Sequence, residues 1–257
     1  MPQPRLSFVI GGAQKAGTST LDAIFRHHPQ IQMASTKETH FFDDESHNWE
    51  APDYNKLDAF FPAADQRLRG EATPIILYWR PAIRRLRDYN PEIKLILLLR
   101  NPVERVFSNW RKEYTIGRDA LPFSDAIRAG RSRVRLEAEV EGLHRYFSYV
   151  ERSLYGHQLS YLLKYFPRQQ IHCEVAEQFF RDQPATLRRL STFLAIDPFP
   201  DLPPLHKNPG RKLNYTATLS DDDAVYLSAL FSDDIAAVET FLGRSIPEWR
   251  VPVQVRL

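Results

Sequence analysis

A short apolar run that ends in a glycine-rich loop constrains this sequence more than any other feature. Residues 6–12, LSFVIGG, predict a buried strand that is brought to a stop by glycines. The loop from Gly12 to Gly17 has the G-x-x-x-x-G spacing of loops that hold a phosphate. A helix is expected to begin near Thr18, because residues then recur at helical spacing. A strand, a tight loop and a helix in this order present backbone N–H groups and the positive helix end to an anion.

The strongest strand of the sequence is KLILLL, residues 94–99, which is apolar on both faces like a central strand of a parallel sheet. Asn101 and Pro102 follow it and suit the start of a helix, with Glu104 supporting the first turn. Further elements are expected as strands at 31–35 and 169–175, a helix at 184–194, and helices over the sheet edge at 115–150.

Strands that alternate with helices predict an α/β fold with a mostly parallel sheet covered on both faces. Together with the phosphate-type loop, this indicates a P-loop-type three-layer αβα sandwich with a central, mostly parallel sheet. No change in composition marks a second domain, so residues 1–257 are expected to form a single domain.

Composition narrows the class of partner. The hydrophobic share of 43% is typical of a soluble globular protein. A net charge of +2 argues against a general nucleic-acid binder and still permits a local basic pocket for a small anion. Cys173 is the only cysteine, so no internal disulfide calls for an oxidising compartment. The N-terminal apolar run is too short for a signal peptide or a membrane span. A cytoplasmic protein is expected, of undetermined oligomeric state.

The lysine of the loop separates two kinds of nucleotide site. Nucleoside triphosphatases carry it directly after the second glycine, whereas Lys15 lies two residues before Gly17. A kinase also needs an aspartate at the end of a neighbouring strand to help hold Mg²⁺, and KLILLL ends in Arg100 instead. Such an arginine is often only a surface ion-pair partner, but it also suits a second phosphate, which Ser108 could bind as well. A nucleotide site of this kind without a metal points to sulfuryl transfer.

Three segments resemble the PAPS-dependent sulfotransferases (PAPS is 3′-phosphoadenosine 5′-phosphosulfate), most closely the bacterial and heparan-sulfate-type branch. FVIGGAQKAGTSTL is similar to the 5′-phosphosulfate loop of the family, LLLRNPVERVFSNW to its 3′-phosphate segment, and KETHFFD (37–43) to its acceptor-side segment. Looser matches follow at GEATP, RSLYGHQLSYLL and NPGRKLNY. The resemblance implies PAPS as co-substrate, PAP as product and no metal. The residues that it implies for nucleotide binding are Lys15, Ala16, Gly17, Thr18, Ser19, Thr20, Arg100, Ser108, Tyr155, Arg211 and Lys212.

The same resemblance implies catalytic roles for Lys15, Glu38 and His40. Lys15 is expected to stabilise charge on the bridging oxygen as the nucleotide leaves. Glu38 is the expected general base, and the plainer interpretation is a solvated carboxylate paired with Lys37. His40 is the rival base, since its ordinary pKa lies nearer neutrality. In an extended segment both side chains would point to the same side, so the sequence leaves the choice open. Phe41 and Phe42 are expected to be core or pocket wall.

Several other patterns have a functional and a structural interpretation. The basic run RAGRSRVR (128–135) suits a polyanionic acceptor or, more simply, a solvated face. HRYFSY (144–149) suits an acceptor pocket or core packing. Asp221–Asp223 are expected to complement a helix N-terminus capped by Ser220 rather than to hold a metal. The histidines show no metal-binding spacing, so no metal site is predicted.

The Golgi members of the resembled family carry a membrane anchor and often disulfides, and neither is expected here. That implies a bacterial, cytoplasmic enzyme acting on a small-molecule acceptor, as in natural-product biosynthesis, with a carrier-bound intermediate as another option. Two other functions stay open: an ATP- and Mg²⁺-dependent phosphotransferase, and a nucleotide-binding module without catalysis.

Overall fold

The structure is a computed structural model that describes residues 5–61, 67–207 and 219–250, except for the side chain of Arg131. These residues form two compact units. The first comprises 5–99 and 160–207, and the second comprises 100–159 and 219–250. That both units act as a single domain stays a prediction.

The first unit contains a five-stranded parallel sheet. Its strands are β1 (Phe8–Gly12), β2 (Ile31–Met33), β3 (Leu68–Glu71), β4 (Lys94–Leu99) and β5 (Ile171–Val175), in the spatial order β2-β3-β1-β4-β5. All four neighbouring pairs are parallel. The strands predicted from the apolar runs are confirmed, and the predicted αβα sandwich with a parallel sheet is correct. β4 is buried on both faces from Leu95 to Leu99, as expected for a central strand of a parallel sheet with cover on both faces.

β3 has no counterpart in the predicted strands, because its sequence LRGE lacks an apolar run. Its side chains are buried by residues distant in the chain. Arg69 is 1% exposed, donates to Gln32 and Asp58 over 3.3 and 3.4 Å, and lies over the Phe61 ring. The ring of Phe8 covers Gly70, where an added Cβ would stand 2.1 Å from a ring carbon. The glycine therefore lets the β1 side chain pack flat on β3.

Five helices belong to the first unit: α1 (Thr18–Phe25), α2 (Asn55–Asp58), α3 (Arg80–Tyr89), α7 (Ala176–Arg181) and α8 (Gln183–Leu194). α1 begins at the predicted residue, and α8 matches the predicted helix at 184–194 to within one residue. α1 packs on β1 and β2, and α8 packs on β5. A further helix, α6 (Tyr155–Leu162), contains the chain position at which the division into units falls.

The second unit contains α4 (Pro102–Thr115), α5 (Phe123–Leu136) and α9 (Asp221–Leu242). The Asn101 side chain accepts from the N–H groups of Val103 and Glu104, as expected for an N-cap. Ser220 caps α9 by accepting from Asp223 N–H over 3.1 Å. The helices expected over 115–150 form only at 123–136, while residues 137–150 form turns and one isolated bridge. Their expected position over the sheet edge stays a prediction.

Candidate active site

The candidate site lies at the carboxyl edge of the sheet, where parallel strands end together. Three loops leave this edge: 13–17 after β1, 34–43 after β2 and 72–79 after β3. The loop after β3 joins the other two. Leu77 N–H donates to Gly11 O over 2.9 Å, and Glu38 N–H donates to Ala72 O over 3.0 Å. The phosphate-type loop and the acceptor-side segment therefore share one continuous edge.

The loop after β1 adopts a conformation that favours glycine. Gly17 has φ +104° and precedes α1, and Lys15 has φ +72°. An added Cβ at Gly17 would lie 2.7 Å from the Phe180 ring, so both backbone angle and packing require a glycine there. Because glycine has no capping side chain, the amides of Thr18 and Ser19 suit an anion or water, whereas that of Thr20 donates to Gly17 O over 2.9 Å. Lys15 is half-buried and stands three residues before Thr18, the first residue of α1.

The residues that follow Lys15 differ in their exposure and partners. Ser19 is half-buried, whereas Ala16 is 1% and Thr18 4% exposed. Thr20 is fully buried, and its hydroxyl accepts from the backbone N–H of Lys207 over 3.0 Å. Ser19 is thus the most exposed of the three hydroxyl residues expected to bind the nucleotide here. Direct contact of Thr20 with phosphate stays a prediction, since its hydroxyl has a protein partner.

The acceptor-side segment brings three ionisable side chains together. His40 lies between two carboxylates, with Nδ1 3.0 Å from Asp43 Oδ2 and Nε2 3.6 Å from Glu38 Oε2. Glu38 also accepts from Lys37 Nζ. The segment is not extended, because Glu38 and His40 both have positive φ, +61° and +53°. The two side chains nevertheless face each other, without the extended backbone under which the sequence would bring them to one side.

The contacts among these side chains shift the pKa values of His40 and Glu38. His40 bonds to Asp43 and lies 3.6 Å from the Glu38 carboxylate, and these contacts raise the pKa of His40 to about 10. The ion pair with His40, helped by Lys37, lowers the pKa of Glu38 to about 2. Near neutral pH the pair is therefore an imidazolium beside a carboxylate. Both side chains are partly exposed, 38% for Glu38 and 53% for His40, so both can be reached from solvent.

The two residues predicted to bind the 3′-phosphate, Arg100 and Ser108, belong to the second unit. Arg100 is half-buried and pairs with Glu104 over 2.6 Å, which agrees with the ion-pair interpretation of this arginine. Tyr155 is buried and donates its hydroxyl to the Arg100 carbonyl over 3.1 Å. Ser108 is half-buried on α4. Arg211 and Lys212 lie outside the described residues.

A carboxylate that the sequence analysis missed fixes the helix that begins at Tyr155. Asp234 of α9 is 5% exposed and accepts from the backbone N–H groups of Gly156 and His157 over 2.9 and 3.1 Å. A side chain at Gly156 would collide with Ala237 at 2.8 Å. The start of α6 is thus tied to α9, and with it the position of Tyr155. Nothing in the local sequence around Asp234 marks it as a cap of a distant helix.

Comparison with known proteins settles the family. The model of the sulfotransferase domain family matches residues 6–201, which is more than half of the 257 residues. The chain belongs to the sulfotransferase family. The resemblance seen in the loop, the 3′-phosphate segment and the acceptor-side segment is confirmed, and sulfuryl transfer is the reaction class of this family.

Curated relatives include glycan-modifying enzymes. Human heparan sulfate glucosamine 3-O-sulfotransferase 6 is 30% identical over 192 residues, which cover 73% of this sulfotransferase and 52% of that protein. The membrane-associated sulfotransferase kil1 of Dictyostelium discoideum is 36% identical over 107 residues, 40% of this chain and 22% of that protein. The chain spans about half the length, or less, of these relatives.

Solved structures extend the likeness to nearly the whole chain. A sulfotransferase from Alicyclobacillus acidocaldarius superposes with a TM-score of 0.78 at 27% identity and covers 96% of this chain and 100% of that one. The sulfotransferase domain of the Synechococcus olefin synthase gives a TM-score of 0.55 at 16% identity, covering 90% and 95%. The second likeness concerns the fold alone.

Two more residues of this sulfotransferase lie in the candidate site and were not singled out from the sequence. Asp43, 1% exposed, is the hydrogen-bond partner of His40 Nδ1. Glu71, fully buried at the end of β3, accepts from Thr39 and Thr73. Asp43 stands three residues from His40 within the motif and could have been found from that spacing. Glu71 could not, because its contact with Thr39 depends on how β3 and the loop after β2 meet.

The remaining patterns are explained by packing. Arg128 pairs with Asp223, while Arg133 pairs with Asp119 and lies 3.7 Å from the Phe147 ring centre. These partners favour the structural interpretation of the basic run at 128–135. In the segment 144–149, His144 stacks on Phe147, and the buried Tyr149 donates to Asp119, so core packing accounts for it.

Other expectations concern single side chains. Phe41 and Phe42 are 4% and 1% exposed, which confirms them as core. Cys173 is buried, and burial raises the pKa of its thiol to about 12, consistent with an inert cysteine. Asp221–Asp223 occupy the first turn of α9, as predicted.

In the part of the chain that the structure describes, no three or more His, Cys, Asp or Glu residues are grouped so that they could hold a metal ion. None of the helices described there combines the length and the apolar character that a bilayer crossing requires.

Proposed function

We propose that the protein transfers the sulfuryl group of PAPS to a hydroxyl or amine of a small-molecule acceptor, giving PAP and a sulfated product. One observation carries the proposal: the loop with Lys15 and the pair Glu38–His40 leave the same carboxyl edge of the sheet, joined through residues 72–79. A donor group bound on the loop would be presented to the side on which a base is available. The family match indicates the reaction class. The carboxyl edge of the sheet is where we propose that this reaction takes place.

In this proposal the loop binds the 5′-phosphosulfate. The first amides of α1 and the Ser19 hydroxyl donate to its oxygens, as helix N-termini do for anions. Lys15 donates to the bridging oxygen, on which negative charge grows as the S–O bond to the nucleotide breaks. A donor placed in advance at that atom stabilises the transition state more than the ground state.

The 3′-phosphate is assigned to the second unit. Arg100 and Ser108 follow β4 in the chain and are the expected ligands, and the Tyr155 hydroxyl bond to the Arg100 carbonyl supports the backbone there. Arg100 would exchange its bond to Glu104 for a bond to phosphate. The roles of Arg211 and Lys212 stay predictions from the resemblance. The match of the family model across both units supports their acting as one domain.

Glu38 is the proposed general base. The acceptor oxygen or nitrogen forms its bond to sulfur, the bond from sulfur to the nucleotide oxygen breaks, and the acceptor proton moves to Glu38. His40 is the poorer candidate, because its contacts with Asp43 and Glu38 keep it protonated near neutral pH. An imidazolium beside the carboxylate instead orients Glu38 and neutralises its charge.

The acceptor is proposed to be a small molecule or a carrier-bound intermediate in the cytoplasm. A glycan acceptor is the second candidate, because curated relatives at 25–30% identity are heparan sulfate glucosamine 3-O-sulfotransferases. The two are separated by incubating the protein with PAPS and either a panel of small alcohols, phenols and amines or heparan sulfate oligosaccharides. Mass spectrometry then identifies the sulfated product.

Melting temperatures with PAP, with ATP, and with ATP plus Mg²⁺ test the donor. A ligand well above its dissociation constant stabilises the folded state by about 3 kcal/mol. The proposal expects a rise with PAP alone. A rise only with ATP plus Mg²⁺ would favour the phosphotransferase, which neither the family match nor Arg100 at the strand end supports. A rise with PAP and no product from any acceptor would favour a non-catalytic nucleotide-binding module.

A further inference from the structure

Glu71 is a fully buried carboxylic acid that the proposed reaction does not use. It ends β3 at the carboxyl edge and is 0% exposed. Its Oε2 accepts two hydrogen bonds, from Thr39 Oγ1 over 3.0 Å and from Thr73 Oγ1 over 2.6 Å. Its Oε1 is buried and has no hydrogen-bond partner among the described residues.

The bond to Thr39 reaches the centre of the acceptor-side segment. Thr39 stands between Glu38 and His40, and its hydroxyl also accepts from Phe41 N–H at 3.5 Å. Immediately before it, Glu38 N–H donates to Ala72 O, one residue after Glu71. Two hydrogen bonds therefore connect the turn at Glu38–His40 to the end of β3. One joins two backbone groups, and the other joins the Thr39 hydroxyl to the Glu71 carboxyl group.

Stability does not account for this acid. Taking a carboxyl group out of water is costly unless its hydrogen bonds are replaced, and only one oxygen of Glu71 has partners. Burial is also the main reason why the pKa of Glu71 rises to about 7, and the hydrogen bonds from Thr73 and Thr39 oppose that rise. The two left-handed residues that flank Thr39, at φ +61° and +53°, cost additional free energy and persist only when neighbouring contacts hold them.

We infer that Glu71 is a positioning residue of the sulfotransferase, which holds the Thr39 hydroxyl and thereby aims Glu38 and His40 at the acceptor. The inference rests on the proposed function of Glu38 as base. Reacting groups need to be held within a few tenths of an ångström of productive geometry, and Glu71 supplies the rigid point on the sheet. It contacts neither substrate in this role and acts through Thr39.

The titration of His40 in the full chain tests the inference without any substrate. In wild type its NMR midpoint is expected near 10, because Glu38 and Asp43 flank the ring. Thr39→Val removes the hydroxyl and keeps the shape, so the midpoint should fall toward the ordinary value of 6.5. Glu71→Leu should have the same effect. Thr39→Ser keeps the hydroxyl and should restore the wild-type midpoint. Glu71→Gln, whose amide oxygen accepts from both threonines, should preserve it.

Thr36→Val is the matched control, since Thr36 is an exposed threonine of the same segment. Melting curves establish that each variant is folded, and His40→Gln assigns the resonance by its loss. A wild-type midpoint in folded Thr39→Val would overturn the inference. So would a fall of the same size in Thr36→Val.

Turnover with PAPS separates this inference from the proposed function. If both hold, Thr39→Val lowers kcat at least tenfold with little change in the melting-temperature gain from PAP, and Thr39→Ser recovers most of the rate. If wild type neither binds PAP nor turns over, the proposed function fails, whereas the His40 titration still decides the place of Glu71. A normal kcat in Thr39→Val with a displaced His40 midpoint would contradict the positioning role.

Discussion

His40 Nε2 lies 3.6 Å from Glu38 Oε2, and each side chain shifts the pKa of the other. The two residues are neighbours because the backbone turns through left-handed angles at both, with Thr39 held between them by Glu71. Near neutral pH this leaves a carboxylate facing an imidazolium. The turn brings the two side chains closer than an extended segment would, in which residues 38 and 40 would only point to the same side.

The first prediction concerns the protonation of Glu38. Its pKa is low mainly because the His40 ring lies beside it, so His40→Gln should raise the Glu38 midpoint from about 2 toward 4.5. Carboxyl-carbon NMR of the full chain measures this. His47→Gln is the control, since His47 lies 3.7 Å from Asp44 in the same segment and not beside Glu38. An unchanged Glu38 midpoint in His40→Gln would show that Lys37 alone sets its charge.

His40 also makes stability depend on pH, with a definite sign. Its folded pKa is raised from 6.5 to about 10, so its contribution is fully present below pH 6.5 and is lost as pH rises through 10. The difference in unfolding free energy between wild type and His40→Gln should therefore shrink between pH 6.5 and pH 10. Urea denaturation at several pH values checks this. A difference that stays constant or widens over that range would contradict it.

A second prediction tests the phosphate-type loop. Lys15→Ala should lower kcat for sulfuryl transfer by about 10²–10³-fold, the range for loss of one donor that stabilises charge in the transition state. Lys56→Ala, an exposed lysine on α2, is the matched control and should leave kcat unchanged. Steady-state rates with PAPS and an identified acceptor give the comparison. Equal rates in the two variants would remove Lys15 from the reaction.

A third prediction separates two reasons for the glycine at position 17. Gly17→Ala should cost about 1–2 kcal/mol for a left-handed residue with a side chain, plus the clash with Phe180 at 2.7 Å. Gly142 also has a positive φ, +73°, but a Cβ added there would have no described atom within 4 Å. Gly142→Ala therefore measures the cost of the backbone angle alone. Adding Phe180→Ala to Gly17→Ala should recover much of the difference. If the two single variants lose equal stability, Phe180 does not crowd the loop.

An element could be predicted from the sequence when the residues that stabilise it lie close to it in the chain. β1, β4, α1 and α4 have apolar runs, helical spacing and an Asn101 cap within a few residues, and all four were predicted. β3 was not, because Arg69 and Glu71 are buried only by partners from other segments, such as Gln32 and Thr39. No local pattern could reveal those contacts.

The site divides in the same way. The glycine spacing placed the loop, and the motif placed Glu38 and His40, since both depend on short stretches of chain. The partners that fix those residues, Asp43 excepted, come from other elements: Glu71 from β3, Lys207 for Thr20, and Asp234 for the helix of Tyr155. Sequence motifs therefore indicated the candidate residues of the site. The contacts that hold those residues in place could be seen only in the structure.

A fourth prediction follows from the burial of Glu71. Its folded pKa is about 7 against an ordinary value of 4.5, so stability should fall as pH rises from 4.5 to 7. At about 1.4 kcal/mol per pKa unit, the change amounts to roughly 3–4 kcal/mol. Glu71→Gln cannot ionise, so its unfolding free energy should improve relative to wild type over that range. Denaturation at pH 4.5 and pH 8 tests this, and parallel curves would show that Glu71 does not stay protonated near neutrality.

The last prediction concerns Asp234 and the start of α6. Asp234→Ala leaves two backbone N–H groups, those of Gly156 and His157, without their acceptor. Hydrogen bonds to a charged group contribute about 1.5–3 kcal/mol, so a loss of that size in unfolding free energy is expected. Asp233→Ala is the adjacent exposed control on the same helix and should stay within about 0.5 kcal/mol of wild type.

Binding of PAP gives this variant a functional readout. Tyr155 begins the helix that Asp234 anchors, and its hydroxyl bonds to the Arg100 carbonyl, so Asp234→Ala should reduce the melting-temperature gain from PAP while Asp233→Ala keeps it. The rise with PAP is compared with each variant's own melting temperature, which removes the loss of stability from the comparison. A full PAP response in Asp234→Ala would mean that α9 stabilises the second unit without positioning the residues assigned to the 3′-phosphate.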